Sequence, residues 1–214
     1  FGFAGVGKTT LAKHFAEHID GIVVFAAFTG KASLVLRSKG CLNASTIHSL
    51  IYKATISKDG LVTFNLNRNS IIKDVSLIII DECSMVDQEL GRDLLSFGKP
   101  VMFFGDTFQL PPISQIRPRK LATPHIILTE IRRNSGIIVE FLTRMRNFEH
   151  IGSFSVYKQE NGHSFSILNS NNPLIYENIL SMDKVICGKN ETKSTINNFI
   201  RQKLKIKDIY PQID

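Results

Sequence analysis

The chain has 214 residues, a formal net charge of +7 and 43% hydrophobic residues. This is enough for a buried core in one large domain or two small ones, since a domain typically holds about 100–150 residues. No apolar run reaches the about 20 residues that a membrane-spanning helix needs, and nothing resembles a signal peptide. Cys41, Cys83 and Cys187 are too scattered for a disulfide framework or a zinc site, so a reducing cytoplasm is the expected setting.

Gly2-Phe3-Ala4-Gly5-Val6-Gly7-Lys8-Thr9 fits the pattern G-x-x-x-x-G-K-[ST] at every position, and a helical pattern follows from Lys8 to His18. Glycines let the backbone curl so that successive amides point inward at phosphate oxygens, and the helix start adds the positive end of its dipole. Gly2, Ala4, Gly5, Val6, Gly7, Lys8, Thr9 and Thr10 are therefore the expected nucleotide-binding residues. Lys8 is expected at the β- and γ-phosphates and the Thr9 hydroxyl on Mg²⁺. The bland alternative is a glycine-rich turn before a helix, and the Lys-Thr pair weighs against it. Only Phe1 precedes the loop where a strand is expected, so the sequence is expected to begin inside a longer protein.

Ile22–Ala26 reads as a buried strand and Lys31–Lys39 as a helix. Residues 53–66 then form a hairpin around Lys58-Asp59-Gly60, within an insertion taken to run from about 53 to 70, because Asp-Gly favours a tight turn. Leu77–Ile80 is a second apolar strand, and it delivers Asp81 and Glu82 at its carboxyl end, where parallel sheets bind ligands. Asp81 is the expected Mg²⁺ ligand and Glu82 the group that orients and deprotonates the attacking water. A helical pattern covers Met85–Phe97, and Val101–Phe104 is a third apolar strand. Uninterrupted apolar strands between helices indicate an α/β fold, a parallel sheet with helices on both faces.

After a proline-bearing stretch at 111–124 a second, incomplete α/β domain is expected from 123 to 214, the first running from 1 to 122. Its expected elements are strands at His125–Leu128, Ser164–Leu168 and Lys184–Cys187, with helices at Ile137–Asn147 and Thr192–Lys203. Residues 117–146 hold Arg117, Arg119, Lys120, Arg132, Arg133, Arg144 and Arg146 against Glu130 and Glu140, and 184–207 hold another seven bases against Glu191. Clustering of this kind suits a polyanionic partner, although a pair of solvated helix faces has the same signature. His14 and His18 are four apart on a helix but lack a third ligand nearby, so a packing or surface role is expected of them.

Further stretches narrow the family. Gly105-Asp106-Thr107-Phe108-Gln109-Leu110-Pro111-Pro112 resembles motif III of superfamily 1 helicases, and is most similar to the RecD/Dda-like branch, superfamily 1B. Ala27-Phe28-Thr29-Gly30-Lys31-Ala32 resembles motif Ia, with Phe28 where proline is usual. Thr46-Ile47-His48-Ser49-Leu50 is similar to a DNA-contacting motif of that family. Leu128-Thr129-Glu130-Ile131-Arg132-Arg133-Asn134 resembles motif IV, with Arg132 and Asn134 replacing histidine and glutamine.

The resemblance implies RecA-like domains and a 5′-to-3′ DNA helicase or translocase that hydrolyses ATP between two such domains. Gln109 would sense the γ-phosphate with Asp106 in support, and Arg133 would reach it from the second domain. Phe28, Thr29, Lys31, Thr46 and His48 would contact single-stranded DNA. The hairpin stands where the family carries its strand-separating pin, so Ile56 and Phe64 are expected either as a wedge or packed inward. Motifs V and VI and an upstream adenine-reading glutamine are not found, so the chain is expected to be a fragment of the motor. An RNA-directed helicase, or a nucleotide-dependent nucleic-acid-binding module without unwinding, would share the motifs that are present.

Overall fold

A computed structural model describes residues 1–206 apart from Ala4, Lys58, Thr107, Gln115, Arg117, Arg119, Lys120, Ala122, 132–136, 150–155, 159–163 and 167–173. The chain packs as two compact units, Phe1–Val139 and Glu140–Asp214.

The first unit is built on parallel strands β1 (Ile22–Ala27), β2 (Ser45–Thr46), β5 (Val75–Asp81) and β6 (Val101–Phe103), in the order β2-β1-β5-β6. Helices α1 (Lys8–Glu17), α2 (Gly30–Ser38), α3 (Ile47–Ile51) and α4 (Gln88–Leu95) cover it. Strand side chains alternate between faces, and the core divides accordingly. Phe25, Ala27, Leu77 and Ile79 pack with Ala12 of α1 and Leu36 of α2. Val24, Ala26, Ile78 and Ile80 pack with Ile47, Leu50 and Ile51 of α3 and with Leu90 and Leu94 of α4. Both faces of β1 and β5 are thus buried, which is why these strands read as unbroken apolar runs.

The residues that open the phosphate loop are tied by backbone bonds to segments beyond β6. Gly2 N–H donates to Gly105 O at 3.0 Å, Leu128 N–H to Phe1 O at 2.8 Å, and Gly2 forms a parallel bridge with Leu128. Residues 125–128, expected as a strand opening a second domain at 123, make one isolated bridge at Leu128 and fall within the unit Phe1–Val139. A Cβ on Gly2 would come within 2.8 Å of both Leu128 O and Val6 Cγ2, so this close pairing requires glycine.

Side-chain caps start the helices. Thr29 accepts from Ala32 N–H, Thr46 from Ser49 N–H and Asp87 from Leu90 N–H, each satisfying an orphan amide. Between α3 and β5 lies the hairpin of β3 (Tyr52–Ile56) and β4 (Val62–Leu66), with Ala54 opposite Phe64 and Ile56 opposite Val62. Phe64 is 62% exposed and Ile56 73%, so neither packs inward.

The second unit holds most of α5 (Ile137–Arg146), the antiparallel pair β7 (Val156–Lys158) and β8 (Ser164–Ser166), α6 (Leu174–Leu180) and α7 (Asn190–Lys203). Tyr176 of α6 packs edge-on against Phe199 of α7, ring centroids 5.1 Å apart. Lys184–Cys187, expected as a strand, is irregular coil, and Val185 and Ile186 are exposed. A run of three apolar residues, Val185 to Cys187, becomes a strand only beside a neighbour that completes its hydrogen bonds, and among the described residues none pairs with it. No helix among the described residues is long and apolar enough to cross a membrane.

Candidate nucleotide site and nucleic-acid edge

The phosphate loop is shaped by its glycines. Gly5 has φ 82° and Gly7 φ 85°, in the left-handed region that side-chain-bearing residues rarely adopt. Gly7 is the residue from which α1 departs, so the positive end of the helix faces into the curve of the loop. Lys8 is buried, and its Nζ donates to Gly2 O and Phe3 O, both at 2.9 Å. The ammonium is thereby held inside the loop. Ala4 lies outside the described residues; Gly2, Gly5, Val6, Gly7, Thr9 and Thr10 follow the expected loop and helix start.

Asp81 reaches the loop through strand parity. It follows Leu77 and Ile79 on the face covered by α1 and α2, and there its Oδ2 accepts from Thr9 Oγ1 at 2.9 Å. It is 6% exposed, and its Oδ1 accepts from Glu82 N–H at 3.0 Å. Parity alone would send Glu82 to the opposite face. Its backbone instead turns into the left-handed region, φ 54° and ψ 48°, and ends the strand. A non-glycine residue there carries strain of about 1–3 kcal/mol, a pattern that clusters at functional sites.

The 3-10 turn Cys83–Met85 follows, tied to the neighbouring strand by Cys83 N–H to Phe104 O at 3.0 Å. Burial pushes the Cys83 thiol up to about 12, so it stays protonated and serves as packing. Beyond β6, the buried Asp106 organises the next loop: its Oδ1 accepts from Phe108 N–H at 3.0 Å and its carbonyl from Gln109 N–H at 3.2 Å. Gln109 is brought to the acidic turn, where its Oε1 accepts from Ser84 Oγ at 3.3 Å. Sequence reasoning missed Ser84; its only signal is a small polar residue two positions after Glu82. Arg133 lies outside the described residues.

A groove of about 470 Å³ opens beside the loop along α1, lined by Thr9, Thr10, Lys13, His14, Glu17 and Lys39. His14 and His18 meet edge-on in this helix, with centroids 4.4 Å apart. Thr9 and Asp81 offer a hydroxyl and a carboxylate, hard oxygen ligands of the kind Mg²⁺ prefers beside phosphate, so the donor set fits that ion.

The expected nucleic-acid residues gather on the same carboxyl edge of the sheet. The register places Ala27 beside Thr46, so Phe28 and Thr29 leave β1 next to where His48 leaves β2. Phe28 and His48 meet edge-on at 5.9 Å, and His48 lies 5.8 Å from Tyr52 at the root of the hairpin. Tyr52 Oη donates to Asp93 Oδ2 at 2.7 Å, and burial together with this bond raises its pKa. Thr29, Lys31 and His48 are exposed, and Thr29 and Thr46 spend their hydroxyl oxygens capping α2 and α3.

Comparison with known proteins agrees with this architecture. A family model described as AAA domain matches residues 1–160. The chain is 27% identical to the ATP-dependent DNA helicase Dda of Enterobacteria phage T4, covering 95% of this chain and 51% of that protein. It is 32% identical to the ATP-dependent RecD2 DNA helicase of Deinococcus radiodurans, covering 63% of this chain and 19% of the relative. The crystal structure of Pif1 helicase from Bacteroides in complex with ADP-AlF3 and ssDNA superposes with a TM-score of 0.57 at 23% identity, over 98% of this chain and 53% of that one. The chain thus spans about half of Dda and a fifth of RecD2.

Proposed function

On the premise that this chain belongs to the AAA domain family, within its superfamily 1B helicases, we propose that it is the ATP-hydrolysing part of a motor that moves 5′ to 3′ on single-stranded DNA. The observation that carries the reading is the Thr9–Asp81 hydrogen bond of 2.9 Å, which joins the phosphate loop to the acid at the end of the central strand.

In this reading the loop amides from Gly2 to Thr10 bind the triphosphate and Lys8 neutralises its β- and γ-oxygens. Thr9 and Asp81 would hold Mg²⁺, which when bound offsets the charge of the same phosphates. Glu82 orients the attacking water and takes its proton, and Gln109 contacts the γ-phosphate. Arg133 is proposed as the arginine that stabilises charge on the transferring group, a contribution worth about 10³–10⁵ in rate in related chemistry. Phe28, Thr29, Lys31, Thr46 and His48 are proposed to hold the strand, chiefly through phosphate and stacking contacts. The exposed hairpin is proposed to part the duplex, and a cytoplasmic setting belongs to the same proposal.

The test is ATP hydrolysis by the full-length protein with single-stranded DNA, with matched RNA and with neither, beside the Glu82→Gln variant. Stimulation by DNA that vanishes in Glu82→Gln, together with displacement from 5′-tailed duplexes, supports the motor. Hydrolysis indifferent to nucleic acid overturns it, and stronger stimulation by RNA reassigns the track.

A further inference from the structure

We propose that Ser84 is a positioning residue that sets which end of the Gln109 amide faces the γ-phosphate; this rests on the motor reading above.

Ser84 is 6% exposed, and its Oγ donates to Gln109 Oε1 at 3.3 Å. Both backbones that meet here are anchored. On one side, the turn of Ser84 is held by Cys83 N–H on Phe104 O at 3.0 Å and closed by Val86 N–H on Cys83 O at 3.1 Å. On the other, Asp106 accepts from the amides of Phe108 and Gln109. The two turns leave adjacent parallel strands, β5 and β6. The bond therefore ties the segment after the acids to the glutamine loop.

An amide side chain has an accepting end and a donating end. Phosphate oxygens accept only. With Ser84 occupying Oε1, the Nε2 hydrogens are left for the phosphate, and both ends find complementary partners. The reversed amide would set its oxygen against phosphate oxygen. The reversed amide would also leave the buried Ser84 hydroxyl hydrogen without its acceptor, so Ser84 favours the productive orientation and acts through Gln109.

The experiment is steady-state ATP hydrolysis on single-stranded DNA by the full-length protein, with Ser84→Ala, Ser84→Thr, Gln109→Ala and the Ser84→Ala/Gln109→Ala double variant. ADP affinity and thermal melting are measured alongside. Loss of one hydrogen bond of this kind predicts a kcat lowered up to about tenfold in Ser84→Ala, with ADP affinity unchanged. Ser84→Thr keeps the hydroxyl and restores most of the rate. The double variant is no slower than Gln109→Ala, because residues acting through one contact are not additive. Ser84→Cys fills the space with a slightly larger atom and donates weakly; it carries the test should Ser84→Ala melt early.

A wild-type kcat in Ser84→Ala, or reductions that multiply in the double variant, overturns the assignment while the motor stands. A wild-type protein that hydrolyses no ATP overturns the motor reading and this inference together.

Discussion

Thr9 Oγ1 donates to Asp81 Oδ2 at 2.9 Å across 72 residues of sequence, and the bond joins the phosphate loop to the end of the central strand. Asp81→Asn keeps the shape of the side chain and removes its charge. We expect hydrolysis to fall by about 10²–10³, the usual cost of deleting one preorganised charge-stabilising group, and the Mg²⁺ needed for half-maximal rate to rise. Titrating Mg²⁺ at saturating ATP checks this, and an unchanged Mg²⁺ dependence would remove Asp81 from the role.

Glu82 separates stability from activity. Its left-handed backbone, φ 54°, favours glycine. Glu82→Gly is expected to stabilise the fold by about 1 kcal/mol, which at this chain length raises Tm by about 2–4 °C, while hydrolysis is abolished. Glu82→Gln should lose activity with Tm unchanged. A Glu82→Gly protein that melts below wild type refutes the strain.

Gly105 has no room for a side chain. An added Cβ would sit 2.7 Å from Cys83 Sγ, and overpacking of this kind costs about 1–3 kcal/mol. Gly105→Ala should therefore lower the denaturation midpoint at constant m-value, and Cys83→Ala in the same chain should recover part of the loss. Failure of the second substitution to compensate would place the strain elsewhere.

Tyr52 pins the root of the hairpin to α4 through Asp93. Tyr52→Phe is expected to cost about 1 kcal/mol. The tyrosine pKa is raised from its ordinary value of 10.0, first by burial and then by the bond to Asp93. A raised pKa means the native state keeps a proton that the unfolded state releases. This contribution is therefore fully present below pH 10 and declines as pH climbs above it. Denaturant melts of wild type and Tyr52→Phe from pH 8 to 11 should converge at the alkaline end.

Phe28 stands where its motif usually carries proline, and its ring meets His48 edge-on at 5.9 Å. If the pair forms a platform for a base, Phe28→Ala weakens single-stranded DNA binding by about 1–3 kcal/mol. Lys31→Ala instead flattens the salt dependence by about 0.7 log units per log unit of salt. Fluorescence anisotropy across a salt series distinguishes the two, and unchanged affinity in Phe28→Ala removes the platform.

The parts of the fold that were legible in the sequence are those where one local pattern has one physical cause. Leu77–Ile80 is apolar without interruption because both of its faces are covered, and the phosphate loop is spelled by glycines that its backbone angles require. What stayed hidden depends on neighbours distant in sequence. Residues 126–128 and 185–187 carry similar apolar runs, yet the first bonds to Phe1 and Gly2 while the second is coil. Ser84 resembles any small polar residue in a turn until Gln109 is brought beside it. Thr29 and Thr46 carry a function-like motif, and part of its chemistry is helix capping. The exposure of Phe64 follows from hairpin register and from what lies over each face, which alternation alone does not specify.

The backbone ladder joining Phe1 and Gly2 to Ile126 and Leu128 has a mechanical side. Leu128 lies five residues ahead of Arg133. The segment that runs toward Arg133 is therefore tied by backbone hydrogen bonds to the residues that open the phosphate loop.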